Sequence, residues 1–188
     1  MISAMEERRE SQANTLCKAC GLCCTGHLFS WTKLRSVELD SVEALGVKVI
    51  RSVPSQRGFN QPCPLWQGQC TVYTSPNYPL FCRTYKCKLL KKVLDETTTL
   101  QEALNTVEVA KGMIHELEGL LPASPNPNFR ERLVSEMEAL EASNSSHRQQ
   151  AMDLELQQKA KALLTLYDKV FGVNDLVQKT VEEYNPNA

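Results

Sequence analysis

The residues best suited to chemistry in this 188-residue chain are its eight cysteines. "CKACGLCC" holds Cys17, Cys20, Cys23 and Cys24, "CPLWQGQC" holds Cys63 and Cys70, and "CRTYKC" holds Cys82 and Cys87. No cysteine follows residue 87. A Cys-x-x-Cys turn suits chelation, because both sulfurs reach one cation while backbone amides point at them. All eight are therefore candidate metal ligands. Cys23 and Cys24 are adjacent, and side chains on neighbouring residues diverge. The pair is expected to serve two metals, or to leave one thiol outside the first coordination sphere or free.

The run Cys17-x₂-Cys20-x₂-Cys23 resembles the three-ligand wrap of bacterial ferredoxins, whose remote fourth cysteine precedes a proline. Cys63-Pro64 supplies that dipeptide. Structural zinc sites more often take two close pairs, and the later cysteines lack a second C-x₂-C. Eight thiolates can nonetheless complete two four-sulfur zinc sites. The expected cofactor is an iron–sulfur cluster or zinc, with iron–sulfur slightly favoured.

Other functional side chains are read more plainly. His27 in "CTGH" is expected to be a solvated or packed imidazole, with a ligand role second, and His115 and His147 are ordinary helix or linker residues. Trp66, Tyr73, Phe81 and Tyr85 interleave with the cysteines and are expected to form an apolar shell that keeps water from the site. The net charge of −1 hides an asymmetry. Residues 1–92 carry 13 Lys+Arg against 6 Asp+Glu, and residues 93–188 carry 8 against 16. Four thiolates around one Zn²⁺ leave −2, so Arg83, Lys86, Lys88, Lys91 and Lys92 are expected to offset local thiolate charge rather than bind nucleic acid.

The N-terminal "MISAMEERRESQANT" has no apolar signal core, and no segment approaches a membrane span, so a cytoplasmic protein with no membrane contact is expected. In a reducing compartment clustered thiols are ligands in preference to disulfides. The sequence shows no glycine-rich phosphate loop, no H-E-x-x-H and no Ser–His–Asp set.

The elements that must position these residues fall into a polar segment (1–16), a cysteine-rich metal-binding domain (17–92) and a helical region (93–188). The expected fold is a small irregular α+β unit stapled by metal, with short strands, followed by an all-α region of three to four helices. "SVELDSVEALG" reads as a brief helix ended by Gly46. "VKVIRSV" and "CTVY" read as strands, with "PSQRGFNQPCPLWQGQ" as loop between them. So irregular a unit has little room for an ordinary core, and metal is expected to compensate. In the rear, Thr99 with Glu102 forms a capping-box pattern ahead of an apolar stripe from Leu100 to Leu121. Phe129, Leu133, Met137 and Leu140 mark a second helix. "EASNSSHRQQ" reads as a polar connection. Met152, Leu156, Leu163, Tyr167, Val170 and Phe171 mark a third helix, closed by Gly172. "NDLVQKTVEEY" suggests a short final helix capped by Asn174.

"CKACGLCC", "CPLWQGQCTVY" and "PLFCRTYKC" together resemble the YkgJ-type cysteine-cluster family, a zinc- or iron-chelating domain. The resemblance covers about residues 17–88. It implies that Cys17, Cys20, Cys23, Cys24, Cys63, Cys70, Cys82 and Cys87 are all candidate ligands. The "SPNYPLFC" segment departs from the family, which commonly carries an Arg-Pro pair before its Cys-Arg. A flagellin lysine methylase is similar in the cysteine region, but this chain has only eight glycines and no methyl-donor loop. The leading expectation is a metal-binding protein with a structural or accessory role, its helical region free to present a surface to a protein partner. The alternatives are an iron–sulfur enzyme or electron-transfer protein performing cluster-assisted group transfer, and a thiol redox sensor using Cys23–Cys24.

Overall fold

Helix α1 (Ile2–Cys20) opens the computed structural model, which describes residues 2–142 and 147–173. Its sequence lacks Pro and Gly and is rich in Ala, Glu and Arg, residues that lose little freedom in a helix. It ends where Gly21 adopts φ +69°, the left-handed conformation glycine enters without a Cβ penalty. The polar N-terminal segment is thus a helix that runs directly into the first cysteines.

Two short strands, β1 (Trp31–Lys33) and β2 (Gly58–Asn60), pair antiparallel with Thr32 opposite Phe59. This corrects both expected strands. The segment at residues 47–53 makes a single bridge, Ile50 to Gly58. Val47 is buried in a small core. Arg51 is held by Asp40 at 2.8 Å and Glu43 at 2.6 Å, and Pro54 then starts a 3₁₀ turn. "CTVY" lies in turns, joined to Trp66 only through the Cys70 bridge. Conversely, β2 lies inside the stretch expected to be loop. Phe59 points into the small core, and a Cβ on Gly58 would fall 2.0 Å from the Thr32 carbonyl oxygen, so the close pairing depends on that glycine.

The brief helix after residue 35 is present as a 3₁₀ turn (Ser36–Glu38) leading into α2 (Leu39–Glu43), and Gly46 follows with φ +89°. Helices α3 (Leu80–Thr84) and α4 (Lys88–Leu94) carry the last cysteines into the helical region, so residue 92 falls inside α4. That region contains α5 (Leu100–Leu120), α6 (Phe129–Ala142) and α7 (His147–Leu166), the last continued by one π-helical turn at Tyr167–Phe171. The "HRQQ" of the expected polar connection already belongs to α7. The helix expected from Asn174 lies outside the described residues. Leu156, Leu163, Tyr167 and Phe171 are buried as the stripe implied, and Gly172 closes the element at φ +72°.

The architecture is mixed α+β with a helical C-terminal region. Its main core takes Ala13, Leu16, Leu22, Leu28 and Phe29 from the front and Val107, Ile114, Leu117, Phe129, Leu133 and Leu163 from the rear. The front segment also builds a core of its own from Leu34, Leu39, Val42, Val47 and Phe59. It therefore has more apolar interior than its loop-rich composition implied, and it shares most of that interior with the rear helices. Among the described residues no helix is long and apolar enough to cross a membrane.

The capping box at the start of α5 is complete. Thr99 Oγ1 accepts from the Glu102 amide at 3.2 Å, and Glu102 Oε2 accepts from the Thr99 amide at 2.8 Å. Thr99→Ala is expected to cost about 1 kcal/mol, read as a lower midpoint in thermal or urea unfolding, with Thr99→Ser close to unchanged.

Candidate metal centre

Helix α1 positions the first two thiols. Cys17 and Cys20 stand three residues apart in its last turns and so share one face. The chain then folds back at Gly21, with the Thr25 amide donating to the Gly21 carbonyl at 2.9 Å and the His27 amide to the Leu22 carbonyl at 3.0 Å. This turn presents Cys23 and Cys24. The Cys63 amide donates to the Cys24 carbonyl at 2.7 Å, tying the second cysteine segment to the first. Trp66, between Cys63 and Cys70, lays its ring against the α-carbon of Gly21. Cys82 lies on α3 beneath Tyr78, whose hydroxyl donates to the Cys82 carbonyl at 3.2 Å. Cys87 caps α4, its Sγ accepting from the Leu90 amide at 3.4 Å.

These segments bring the eight thiols into two neighbourhoods. Burial raises every one of them above the ordinary thiol range, and mutual repulsion adds to it in a pattern that sorts them. Cys17 is pushed up to about 11 by burial, then by Cys87 and Cys70. Cys20 is pushed up to about 12 by burial, with Cys87 and Cys17 adding. Cys23 is raised by burial and then by Cys20, Cys87, Cys24 and Cys17. Its neighbour Cys24 is raised by burial and then by Cys82, Cys63, Cys70 and Cys17. Cys82 is pushed up to about 12 by burial, then by Cys63, Cys70 and Cys17. By these mutual effects Cys20 and Cys23 go with Cys87, Cys24 and Cys82 go with Cys63 and Cys70, and Cys17 acts on both sets. Packing agrees. Cys20, Cys23 and Cys87 lie against the main core, whereas Cys63 lies against the small one.

All eight thiols are free. Among the described residues no three His, Cys, Asp or Glu side chains close into a group ready to hold one ion. The donor set nonetheless fits a thiophilic metal in kind and number. The carboxylate nearest in effect, Glu38 beside Cys82, is occupied by Arg35 at 3.1 Å and by the Leu80 amide at 2.7 Å. Eight sulfurs remain, the donor type of zinc and iron–sulfur sites rather than of oxygen-seeking cations. A cation would offset the burial, and the lesser mutual repulsion, that keep these thiols protonated.

The remote cysteine that acts on Cys17, Cys20 and Cys23 is Cys87, because α4 returns along α1, while the Cys63 amide is tied to the Cys24 carbonyl. Compensating charge also differs from expectation. Lys91 is the cation felt at Cys87, as anticipated, but Lys111 of α5 acts on Cys20 and Lys18 of α1 on Cys70. Lys111 Nζ also donates to the Ala19 carbonyl at 3.1 Å. A count of basic residues near the cysteines in sequence could not find a lysine brought in by folding.

The aromatic shell is present and larger than predicted. Phe81 and Tyr85 stack at 5.5 Å, and Phe29 meets Tyr85 edge-on at 5.1 Å. Burial raises the Tyr85 phenol, with Cys23 and Cys87 adding. Tyr73 and Tyr78 pair at 5.2 Å, and Lys18 Nζ sits 4.6 Å above the Tyr73 ring. The Tyr73 hydroxyl donates to Asn14 Oδ1 at 2.6 Å, which anchors the Cys70 loop to α1. Phe29 and Tyr78 were not expected in this shell. Tyr78 precedes Cys82 by four residues, the one signal in sequence that places it there. His27 is packed rather than free for a metal. Its Nδ1 is 2.6 Å from Thr25 Oγ1, its Nε2 is 3.8 Å from Glu118, and its ring lies 5.0 Å from that of Phe129. His115 is exposed on α5, and the side chain of His147 lies outside what is described.

Comparison with known proteins gives one match. Residues 16–106 fit the model of the family CxxCxxCC, described as "Putative zinc- or iron-chelating domain". No curated protein and no solved structure matches the chain.

Proposed function

We propose, from the premise that residues 16–106 belong to the zinc- or iron-chelating CxxCxxCC family, that the chain holds two separate four-thiolate metal centres. The first uses Cys17, Cys20, Cys23 and Cys87, the second Cys24, Cys63, Cys70 and Cys82. The observation that carries this reading is the divergence of Cys23 and Cys24. Adjacent in sequence, they feel largely different sets of thiols, with Cys17 common to both.

The role is structural or accessory. Each centre would link separate segments: α1 and α4, which already pack against one another, in the first, and the Cys24 turn, the Cys63–Cys70 loop and α3 in the second. The first centre draws three ligands from one C-x₂-C-x₂-C run and a fourth from afar, the spacing of a ferredoxin-type cluster, which favours iron–sulfur over zinc there. The second draws its four ligands from three stretches and favours neither.

Elemental analysis and an absorption spectrum of the full chain purified without oxygen test this reading. Two centres per chain are expected. Iron with acid-labile sulfide and a brown colour identify clusters, and colourless protein with two zinc ions identifies the alternative. A chain that retains no metal, or only one centre, overturns it.

A further inference from the structure

Arg83 is exposed on α3, and among the described residues no carboxylate pairs with it. Its guanidinium lines a cleft of about 460 Å³ whose walls include Asn14 of α1 and Tyr73, Thr74, Ser75 and Tyr78 of the loop that precedes α3. That volume lies within the ~300–1,000 Å³ range of small-molecule sites.

What the lining offers is one-sided. Among the described residues Arg83 is its only charged member. The Tyr73 hydroxyl donates to Asn14 Oδ1 at 2.6 Å, which leaves the Asn14 Nδ2 hydrogens to give. Ser75 Oγ accepts from the Asn77 amide at 3.1 Å and keeps its own proton for another partner. The Thr74 side chain makes no hydrogen bond among the described residues. Tyr78 is fixed by its bond to the Cys82 carbonyl and by the Tyr73 ring 5.2 Å away, so one wall is held in place. An adjoining cleft of about 210 Å³ is also lined by Arg83 and contains Glu38. That carboxylate is already taken up by Arg35 at 3.1 Å and by the Leu80 amide at 2.7 Å. Lys18, 4.6 Å over the Tyr73 ring, puts a second positive charge behind the wall. The cleft thus presents donors and positive charge, and the fork of a guanidinium matches the paired oxygens of a carboxylate or phosphate.

We propose that this cleft binds the oxyanion of a small molecule, a carboxylate or a phosphate ester, with Arg83 as the charged contact and Asn14, Thr74 and Ser75 as supporting donors. The inference does not depend on how many metal centres the chain holds. It assigns a ligand to the segment between Cys70 and Cys82, which the metal reading leaves without a task.

Radiolabelled inorganic phosphate and acetate are the probes, measured by equilibrium dialysis against the full chain with its metal in place, at an ionic strength held constant with sodium chloride. Saturable binding of one anion per chain is expected. Phosphate alone identifies a phosphate ester, acetate alone a carboxylic acid, and both a site that reads charge rather than shape. Arg83→Gln is expected to bind about 10-fold more weakly, with the metal content of wild type. Asn14→Asp keeps the acceptor for Tyr73 but sets a negative charge in the cleft, and it should weaken binding at least as much; it decides the matter should Arg83→Gln fail to fold. Uptake of neither anion beyond what chloride displaces, or wild-type affinity in a folded variant, overturns the inference and leaves the metal reading standing.

Discussion

Cys23→Ser and Cys24→Ser, substitutions one residue apart, are expected to remove different metal centres, each leaving one centre per chain where wild type has two. Serine keeps the size of the side chain but replaces a soft sulfur with a poorly ligating hydroxyl, so the loss falls on the centre that uses that position. Cys20→Ser or Cys87→Ser should reproduce the first phenotype and Cys63→Ser or Cys82→Ser the second. The stability consequences differ. Structural zinc contributes on the order of 10 kcal/mol in small domains, comparable with the whole stability of a typical protein. The Cys20, Cys23 and Cys87 side chains lie against the main core, so loss of the first centre should loosen the junction of α1, α4 and α5 as well. Loss of the second should stay largely within the Cys63–Cys82 segment. Metal analysis with circular dichroism melts on the two variants checks both points. Equal metal loss and equal melts in the two would mean that the thiols serve one shared centre.

The proposed division of the thiols between two centres is half legible in the sequence. The doublet Cys23–Cys24 announces that two neighbouring sulfurs must point apart, which is local geometry. Which remote cysteine joins which is not local: the Cys63-Pro64 dipeptide points to Cys63, whereas folding makes Cys87 the remote thiol that acts on Cys17, Cys20 and Cys23. The helical half was read well for the same reason that the doublet was. A capping box, a 3.6-residue stripe and a terminal glycine act over one or two turns, and Thr99, Leu163 and Gly172 do what their positions imply. The strands were misread because a few β-branched residues specify extended backbone but not a partner. Val47 reaches a core instead of a sheet, and Gly58–Asn60 pairs because Gly58 admits a close neighbour. The shared core was invisible for a related reason. Leu22, Leu28 and Phe29 look like isolated apolar residues among cysteines until α5 and α6 cover them.

That dependence on one close approach leads to the second large effect, Gly21→Ala. Gly21 lies between Cys20 and Cys23 with φ +69°, and an added Cβ would stand 2.1 Å from Cζ2 of Trp66, far inside contact distance. The left-handed backbone costs a residue with a side chain about 1–2 kcal/mol. Forcing the ring away adds about 1–3 kcal/mol, since neither the turn nor the Cys63–Cys70 loop can move without dragging thiols with it. The sum of a few kcal/mol is expected to appear as a large fall in the unfolding midpoint together with partial loss of metal from both centres. Two comparisons divide that effect. Gly46 has φ +89° but nothing within 4 Å of an added Cβ, so Gly46→Ala bears only the backbone cost and should keep its full metal complement. Combining Gly21→Ala with Trp66→Ala removes the wedge, and metal retention should then exceed that of Gly21→Ala alone, although the apolar cover over the turn is thinner. If Gly21→Ala retains both metals and melts like Gly46→Ala, the contact between Trp66 and the first turn does not hold the two cysteine segments together.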